Sequence, residues 1–208
     1  MEPLVEIKNL SIRFPEGNST FEAVKGISFS IGKGEIVGVV GESGSGKSMS
    51  ALALMGLLPK DAEIASGSLC FQGEDLVTMK PEKRRQLCGS KMAMVFQEPM
   101  TSLNPVLKIE RQVGESLRIH TKLGNAEIHE RVVQALSEVG LPDPEGLCGK
   151  YPHELSGGMR QRVMIAQAMI NSPSLLIADE PTTALDCVVQ AQILELLRNI
   201  HRTKGTSI

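Results

Sequence analysis

The sequence predicts an α/β fold in which helices cover both faces of a mostly parallel sheet. Two short apolar runs, 36–40 and Leu175–Ala178, have the continuous hydrophobic character of strands that are buried on both faces. A helix-like pattern follows each run, at 49–58 and 188–200. Strands that alternate with helices favour parallel pairing, because a helix can return the chain to the same end of the sheet.

The N-terminal part predicts two strands with one solvent-facing side each, because apolar residues recur at every second position. The apolar positions are Val5, Ile7, Ile12 and Phe14 in the first segment, and Ile27, Phe29 and Ile31 in the second. A glycine-rich turn at 32–34 then leads into the run 36–40.

The rest of the pattern predicts further strands and helices. We expect strands at 69–71 and 92–96 and helical structure from 108 to 139. A loop rich in Pro and Gly at 141–152 precedes a new helix start at 155–158.

The composition is that of a globular protein of 208 residues, with 41% hydrophobic and 22% charged residues. A net charge of −2 and 3% aromatic residues without Trp argue against nucleic acid as a partner. We find no apolar run of ~20 residues and no signal-peptide pattern at the N-terminus. The four cysteines are far apart and are expected to be reduced thiols.

A phosphate-binding loop is predicted between the run 36–40 and the helix that follows it. The segment Gly41-Glu42-Ser43-Gly44-Ser45-Gly46-Lys47-Ser48 matches G-x-x-x-x-G-K-[ST] in full. Glycines let backbone N–H groups surround phosphate oxygens, and the following helix presents its positive end to them. We expect Lys47 to reach the β- and γ-phosphates and Ser48 to ligate Mg²⁺. The alternative is a Gly/Ser-rich turn that matches by chance.

Two acidic residues, Asp179 and Glu180, come directly after the apolar run Leu175–Ala178. In this position one carboxylate can hold Mg²⁺ through water, and its neighbour can accept a proton from an attacking water. Acids also occur here simply as strand ends or helix caps. The phosphate-binding loop in the same chain favours the catalytic interpretation.

A second candidate anion site lies at Ser156-Gly157-Gly158, where a Ser and two glycines begin a helix. One nucleotide needs only one phosphate loop. Two chains that pair head to tail, each offering this helix start to the ATP of the other, would explain both sites. An ordinary helix N-cap is the alternative.

In this segment the chain resembles the ABC ATPases. The residues that match the signature of that family are Leu155-Ser156-Gly157-Gly158-Met159-Arg160-Gln161-Arg162. The resemblance implies ATP and Mg²⁺ as ligands. It also implies a phosphate-loop fold with a RecA-like parallel core, an antiparallel β subdomain and an inserted helical subdomain. We place the β subdomain and phosphate-loop core at 1–98, the helical insert at 99–157 and the second part of the core at 158–208.

The resemblance assigns further site residues. Gln97 matches the residue that touches both Mg²⁺ and the transmembrane partner. Asp186 belongs to a loop that crosses the dimer interface, and Met49 follows the phosphate loop. Phe14 lies where the family has an aromatic that stacks on adenine. The alternative is that it fills the core.

The amino-acid sequences of several segments are similar to those of the dipeptide, oligopeptide and nickel import ATPases. This group includes the glutathione importer's ATPase. These segments are 40–48, 96–105, 151–159 and 178–186. The resemblance implies a second ATPase subunit, identical or paralogous, two membrane permeases and, indirectly, a periplasmic solute-binding protein. The chain would then lie peripherally on the cytoplasmic face of a bacterial inner membrane.

One departure concerns the histidine that senses the γ-phosphate in this family. The sequence ends at Ile208, where the strand that precedes this histidine is expected to begin. We therefore expect a fragment that lacks C-terminal strands and hydrolyses ATP weakly or not at all. His120, His129, His153 and His201 do not match the position of that histidine.

The mechanism implied by these motifs is ATP hydrolysis in a nucleotide sandwich, with Glu180 activating water and the helical insert transmitting closure to the permeases. Two other interpretations stay open. One is a soluble ABC ATPase that is not coupled to transport, and the other is a catalytically silent ATP-binding fragment.

Overall fold

The computed structural model describes residues 2–16, 19–98, 102–183 and 185–208. Two predicted positions lie outside these ranges. They are Pro99, where we placed the start of the helical insert, and Ala184, which precedes Leu185 and Asp186 in the loop expected to cross the dimer interface. The chain forms two compact units, 1–88 with 207–208, and 89–206. The predicted α/β class is confirmed, because an antiparallel sheet forms in the first unit and a parallel strand pair in the second.

The first unit is built on an antiparallel sheet. Its strands are β1 (Val5–Glu16), β2 (Ser19–Ile31), β3 (Glu63–Phe71) and β4 (Glu74–Asp75). Within the described residues their order in the sheet is β2-β1-β3-β4. The alternating patterns at the N-terminus therefore predicted β1 and β2 correctly.

A bulge in β1 explains which of its residues are buried. Val5 and Ile7 point inward, the register then shifts, and Leu10 and Ile12 point inward after it. Asn9, within the shift, has a positive φ of 47°. An extra residue in one strand reverses the alternation of side chains, so the buried positions change from odd to even numbers.

Two helices accompany this sheet, α1 (Lys47–Met55) and α2 (Pro81–Leu87). Arg84 of α2 donates hydrogen bonds to the carbonyls of Ala53 and Leu54 at the end of α1. A cation at a helix C-terminus satisfies carbonyls that lack partners within the helix. Burial lowers the pKa of the Arg84 guanidinium.

The expected buried strand at 36–40 is wrong in this structure. These residues carry no strand assignment, and Val40 is 94% exposed. The backbone hydrogen bonds that join this segment to another are Val37 N–H to the Ile208 carbonyl and Ile208 N–H to the Glu35 carbonyl. Two bonds to one residue do not make a ladder, so no strand of the first unit's described residues pairs with this run.

The second unit combines a parallel strand pair with helices. The strands are β5 (Met92–Val95) and β6 (Leu175–Ala178). The helices are α3 (Ile109–Val113), α4 (Glu115–His120), α5 (Asn125–Glu138), α6 (Pro144–Cys148), α7 (Gly157–Met169) and α8 (Cys187–Lys204). A short 3₁₀ helix covers Pro152–Glu154.

The helical pattern at 108–139 is divided into α3, α4 and α5. Gly114 separates the first two, and a Cβ at this position would lie 2.9 Å from Ile128 Cγ2. The Glu127 carboxylate accepts a 2.9 Å hydrogen bond from the N–H of Gly124, the N-cap of α5. Periodicity identified the helical residues, whereas glycine and capping set the ends of each helix.

In the described ranges, none of the helices has both the length and the apolar character required to cross a bilayer.

Candidate active site

The predicted phosphate loop lies in the first unit and leads directly into α1. Gly44 and Gly46 have positive φ values of 79° and 87°, which L side chains rarely adopt. Gly46 is the N-cap of α1 and supplies no side-chain hydrogen bond to the first turn. The first N–H groups of the helix therefore have no side-chain cap and suit an anion.

Side chains at two glycines of the loop would meet neighbouring atoms, a serine hydroxyl at Gly41 and a backbone carbonyl at Gly46. A Cβ on Gly41 would lie 2.7 Å from Ser45 Oγ, and one on Gly46 would lie 2.4 Å from the Ala23 carbonyl oxygen. The backbone of the loop thus packs against β2 and forms a compact cradle. These residues fit the triphosphate that the sequence pattern implies.

Lys47 folds back over this loop. Its ammonium donates hydrogen bonds of 2.8 Å to the carbonyl oxygens of Gly41 and Glu42. An ammonium has three donors, so one remains for a phosphate oxygen. Glu42 and Ser43 are exposed, and Ser48 and Met49 are half-buried.

Phe14 lies in the same unit, on β1, opposite Phe21 of β2. The two ring centroids are 6.4 Å apart. Phe14 is half-buried, and Phe21 is 55% exposed. Sequence reasoning overlooked Phe21, although its position opposite Phe14 follows once the two strands are paired.

The acids and Gln97 meet in the second unit, at the carboxyl ends of β5 and β6. The parallel register places Val95 opposite Ala178, and the Asp179 N–H donates a 3.0 Å hydrogen bond to the Val95 carbonyl. The Gln97 amide nitrogen lies 2.7 Å from Glu180 Oε2 and donates a hydrogen bond to it. Residues 83 positions apart are therefore in direct contact.

Glu180 is also in contact with Thr183, which sequence reasoning did not single out. The Thr183 hydroxyl donates to Glu180 Oε2 over 2.9 Å. The Thr183 N–H donates to the Glu180 carbonyl over 3.1 Å. Glu180 itself has a positive φ of 46°, and non-glycine residues in this region often mark functional sites.

The predicted second anion site is a capped helix start in this structure. Ser156 is the N-cap of α7, and its hydroxyl accepts a hydrogen bond of 3.3 Å from the Met159 N–H. A Cβ on Gly157 would lie 3.8 Å from Leu185 Cδ2, and one on Gly158 would lie 3.0 Å from Val189 Cγ1. The two glycines therefore bring α7 close to the start of α8.

Asp186 has a similar capping role at the start of α8. Its carboxylate accepts hydrogen bonds of 3.0 Å from the N–H groups of Val188 and Val189. The starts of α7 and α8 are thus neighbours. Ser156 caps α7, and Asp186 caps α8. Capping and ligand binding are compatible, because several N–H groups of a helix start stay unpaired.

The side chains that we expect to bind Mg²⁺ all carry oxygen donors. In the first unit Ser48 has a hydroxyl. In the second unit Asp179 has a carboxylate, and Gln97 has an amide oxygen that its contact with Glu180 leaves available. Oxygen donors of this kind are preferred by Mg²⁺, which takes few protein ligands beside phosphate oxygens. Groups of three or more His, Cys, Asp or Glu that could hold a metal are absent from the described ranges.

Comparison with known proteins agrees with these motifs. Residues 24–183 match the family profile described as ABC transporter. The chain is 50% identical over 208 residues to the peptidoglycan transport ATP-binding protein YejF of Agrobacterium fabrum. It is 46% identical over 205 residues to the dipeptide transport ATP-binding protein DppD of Escherichia coli, and 45% identical over 206 residues to the oligopeptide transport ATP-binding protein OppD of Bacillus subtilis.

The chain matches only part of each of these relatives. It spans 38% of YejF, 63% of the Escherichia coli DppD and 58% of the Bacillus subtilis OppD. Each match covers 99% or all of the present chain.

Solved structures show the same fold. The ATP-binding cassette MJ0796, solved as a dimer in a post-hydrolysis state with ADP and phosphate, aligns with a TM-score of 0.86 and 27% identity. That alignment covers 98% of this chain and 85% of MJ0796. CbiO1 of Clostridium perfringens, part of the transporter complex cbiONQ, aligns over the whole chain and 77% of its own length with a TM-score of 0.80 and 28% identity.

Proposed function

The chain belongs to the ABC transporter family, and from this membership we propose that it is the ATP-binding and ATP-hydrolysing part of an importer for peptides or similar small solutes. The observation that carries the hydrolytic role is the contact between Gln97 and Glu180 at the carboxyl ends of two parallel strands. Ligands of parallel α/β sheets bind at this edge.

The residues divide the chemistry between them. Lys47 and the amides of the phosphate loop bind the β- and γ-phosphates, and Phe14 stacks on the adenine. Glu180 accepts the proton of the attacking water. The water oxygen bonds to the γ-phosphorus, and the bond to the β–γ bridging oxygen breaks, so its electron pair leaves with ADP.

Magnesium, when bound by Ser48, Gln97 and, through water, Asp179, supplies positive charge that neutralises the phosphate oxygens. Each of these three side chains offers an oxygen donor, as this ion requires. The chain's own contribution is therefore to bind the triphosphate, to orient the water and to accept its proton.

The second helix start completes the site in a dimer. We infer that Ser156, Gly157 and Gly158 bind the γ-phosphate of ATP on a second ATPase subunit, and that Asp186 lies in the same interface. Support comes from the close approach of Gly158 to Val189, which brings the α7 start beside the start of α8, where Asp186 lies. The solved dimer of MJ0796 has the same fold.

The transported solute is inferred from the relatives alone. Dipeptide and oligopeptide transport ATP-binding proteins are among them. Two membrane permeases and a periplasmic solute-binding protein are the expected partners, reached through the helical insert at 99–157. We therefore propose that the chain lies peripherally at the cytoplasmic face of the membrane.

The experiment compares two variants of the intact protein. We expect Lys47→Ala to reduce ATP affinity at least tenfold, by roughly 1.4 kcal/mol or more, because the phosphates lose their cation. Glu180→Gln should retain ATP binding and lower turnover by about 10²-fold or more, since an amide cannot accept the proton. Calorimetric titration with ATP and phosphate release give the two readouts.

Lys91→Ala serves as the control, because Lys91 is an exposed lysine outside all of the motifs. Normal ATP affinity in Lys47→Ala would remove the phosphate-loop assignment. Normal turnover in Glu180→Gln would exclude Glu180 as the base.

A further inference from the structure

Thr183 contacts Glu180 at both the backbone and the side chain. Its N–H donates to the Glu180 carbonyl over 3.1 Å, and its hydroxyl donates to Glu180 Oε2 over 2.9 Å. These two bonds close a turn of four residues in which Glu180 has a left-handed backbone. One residue therefore stabilises both the strained backbone and the carboxylate of the proposed base.

The two side-chain donors of Glu180 converge on the same oxygen. Gln97 and Thr183 both donate to Oε2, and among the described residues no hydrogen bond reaches Oε1. The carboxylate is exposed, so water has access to it. This arrangement orients the carboxylate and leaves Oε1 as the oxygen that can accept a proton.

The hydrogen bonds that Gln97 and Thr183 donate to Glu180 differ in how far they depend on the bound nucleotide. Gln97 is also a proposed ligand of Mg²⁺, so its contact with Glu180 is open to change when the nucleotide binds. Thr183 lies three residues from Glu180 in the same turn, and its branched side chain has few rotamers. Its hydroxyl can therefore keep its contact in every nucleotide state.

We propose that Thr183 is a positioning residue that orients the Glu180 carboxylate, so that Oε1 faces the attacking water. This inference rests on the proposed function, because it assumes that Glu180 is the base. Thr183 does not touch the reacting atoms and acts only through Glu180.

The test uses paired variants of the intact protein. Thr183→Val keeps the shape and removes the hydroxyl, whereas Thr183→Ser keeps the hydroxyl and removes the methyl group. We expect Thr183→Val to lower kcat about tenfold, because a misplaced base loses part of the contribution of general base catalysis. The KM for ATP should stay within about twofold, and Thr183→Ser should restore kcat.

Thr203→Val is the matched control. It removes a threonine hydroxyl that donates 2.8 Å to the Asn199 carbonyl in α8, away from Glu180. Its kcat should equal that of the unchanged protein. A similar fall in kcat in Thr203→Val would show that hydroxyl loss acts through general stability and would overturn the proposal.

A readout besides activity comes from crystal structures of the nucleotide-free variants. The Glu180 carboxylate should be rotated or spread over several positions in Thr183→Val and unchanged in Thr183→Ser. An unchanged carboxylate in Thr183→Val would contradict the proposal, as would equal loss of kcat in the valine and serine variants.

Combining the changes separates this inference from the proposed function. In a Glu180→Gln background, Thr183→Val should cause no further loss, because the residue through which it acts is already disabled. Full turnover in Glu180→Gln alone would refute the base assignment. Stalled turnover in Glu180→Gln together with normal kcat in Thr183→Val would refute only the role of Thr183.

Discussion

At the scale of single residues, two of the residues predicted to belong to the ATP site, Gly46 in the first unit and Glu180 in the second, have a left-handed backbone. Gly46 adopts this conformation without a side chain, next to the Ala23 carbonyl. Glu180 adopts it with a side chain, and its neighbours Thr183 and Gln97 donate hydrogen bonds to it. Glycine removes the strain, whereas the polar contacts at Glu180 offset it.

Gly46→Ala should therefore destabilise the protein by about 2–3 kcal/mol, since strained φ and a close approach to backbone act together. The added Cβ would lie 2.4 Å from the Ala23 carbonyl oxygen, which cannot rotate away. Urea denaturation measures the loss. Gly44→Ala is the control, because its φ is also positive but no atom lies within 4 Å of the added Cβ. Equal losses in the two variants would contradict the role of the close contact.

At the scale of helices, His129 of α5 joins three elements of the second unit. Its Nδ1 lies 3.0 Å from Glu110 Oε1 of α3, and its Nε2 lies 2.9 Å from Glu145 Oε1 of α6. These hydrogen bonds, that to Glu110 above all, raise the pKa of His129 above its ordinary value of 6.5. Both ring nitrogens can donate only when the imidazole is protonated.

This pair of contacts predicts a pH-dependent stability. Because the folded-state pKa exceeds the unfolded value of 6.5, the contribution of His129 is complete below that pH and is lost as pH rises through the folded-state pKa. The difference in melting temperature between the unchanged protein and His129→Gln should therefore be larger near about pH 6 than near about pH 8.5. Glu130→Gln, an exposed change on the same helix, is the control. A difference that does not vary with pH would contradict this role.

At the scale of the whole molecule, the starts of α7 and α8 form one surface. Ser156 and Asp186 cap these helices, and Gly158 lets α7 approach Val189. The proposed dimer uses this surface to bind the nucleotide of the partner. Capping and phosphate binding at Ser156 can be separated experimentally, because Ser, Asn and Asp are comparable N-caps but differ in charge.

With Glu180→Gln present to slow hydrolysis, ATP should convert the intact protein to a dimer, as measured by light scattering. Adding Ser156→Asp should abolish this dimer, because a carboxylate beside the γ-phosphate adds repulsion. Ser156→Asn should retain it within about tenfold in affinity, since the cap is kept without charge. ATP-dependent dimers of equal affinity in all three proteins would remove Ser156 from the interface.

Local patterns predicted most of the helices and strands correctly. The alternation at Val5 and Ile7 identified β1, and the apolar run at Leu175–Ala178 identified β6. The run 36–40 has the same character but is exposed, because burial depends on neighbouring strands that its own residues do not specify. The roles of the individual site residues stay predictions.

The order of residues along the chain was sufficient to predict a phosphate loop, two acids after a strand, and a helix start at Ser156. Each of these depends on residues that are close in sequence, so their chemistry can be inferred from spacing alone. The contact between Gln97 and Glu180, which are 83 positions apart, could not be predicted in this way. It depends on the register of two parallel strands, which only the structure defines. The position of the Thr183 hydroxyl likewise required a left-handed turn that only the folded backbone defines.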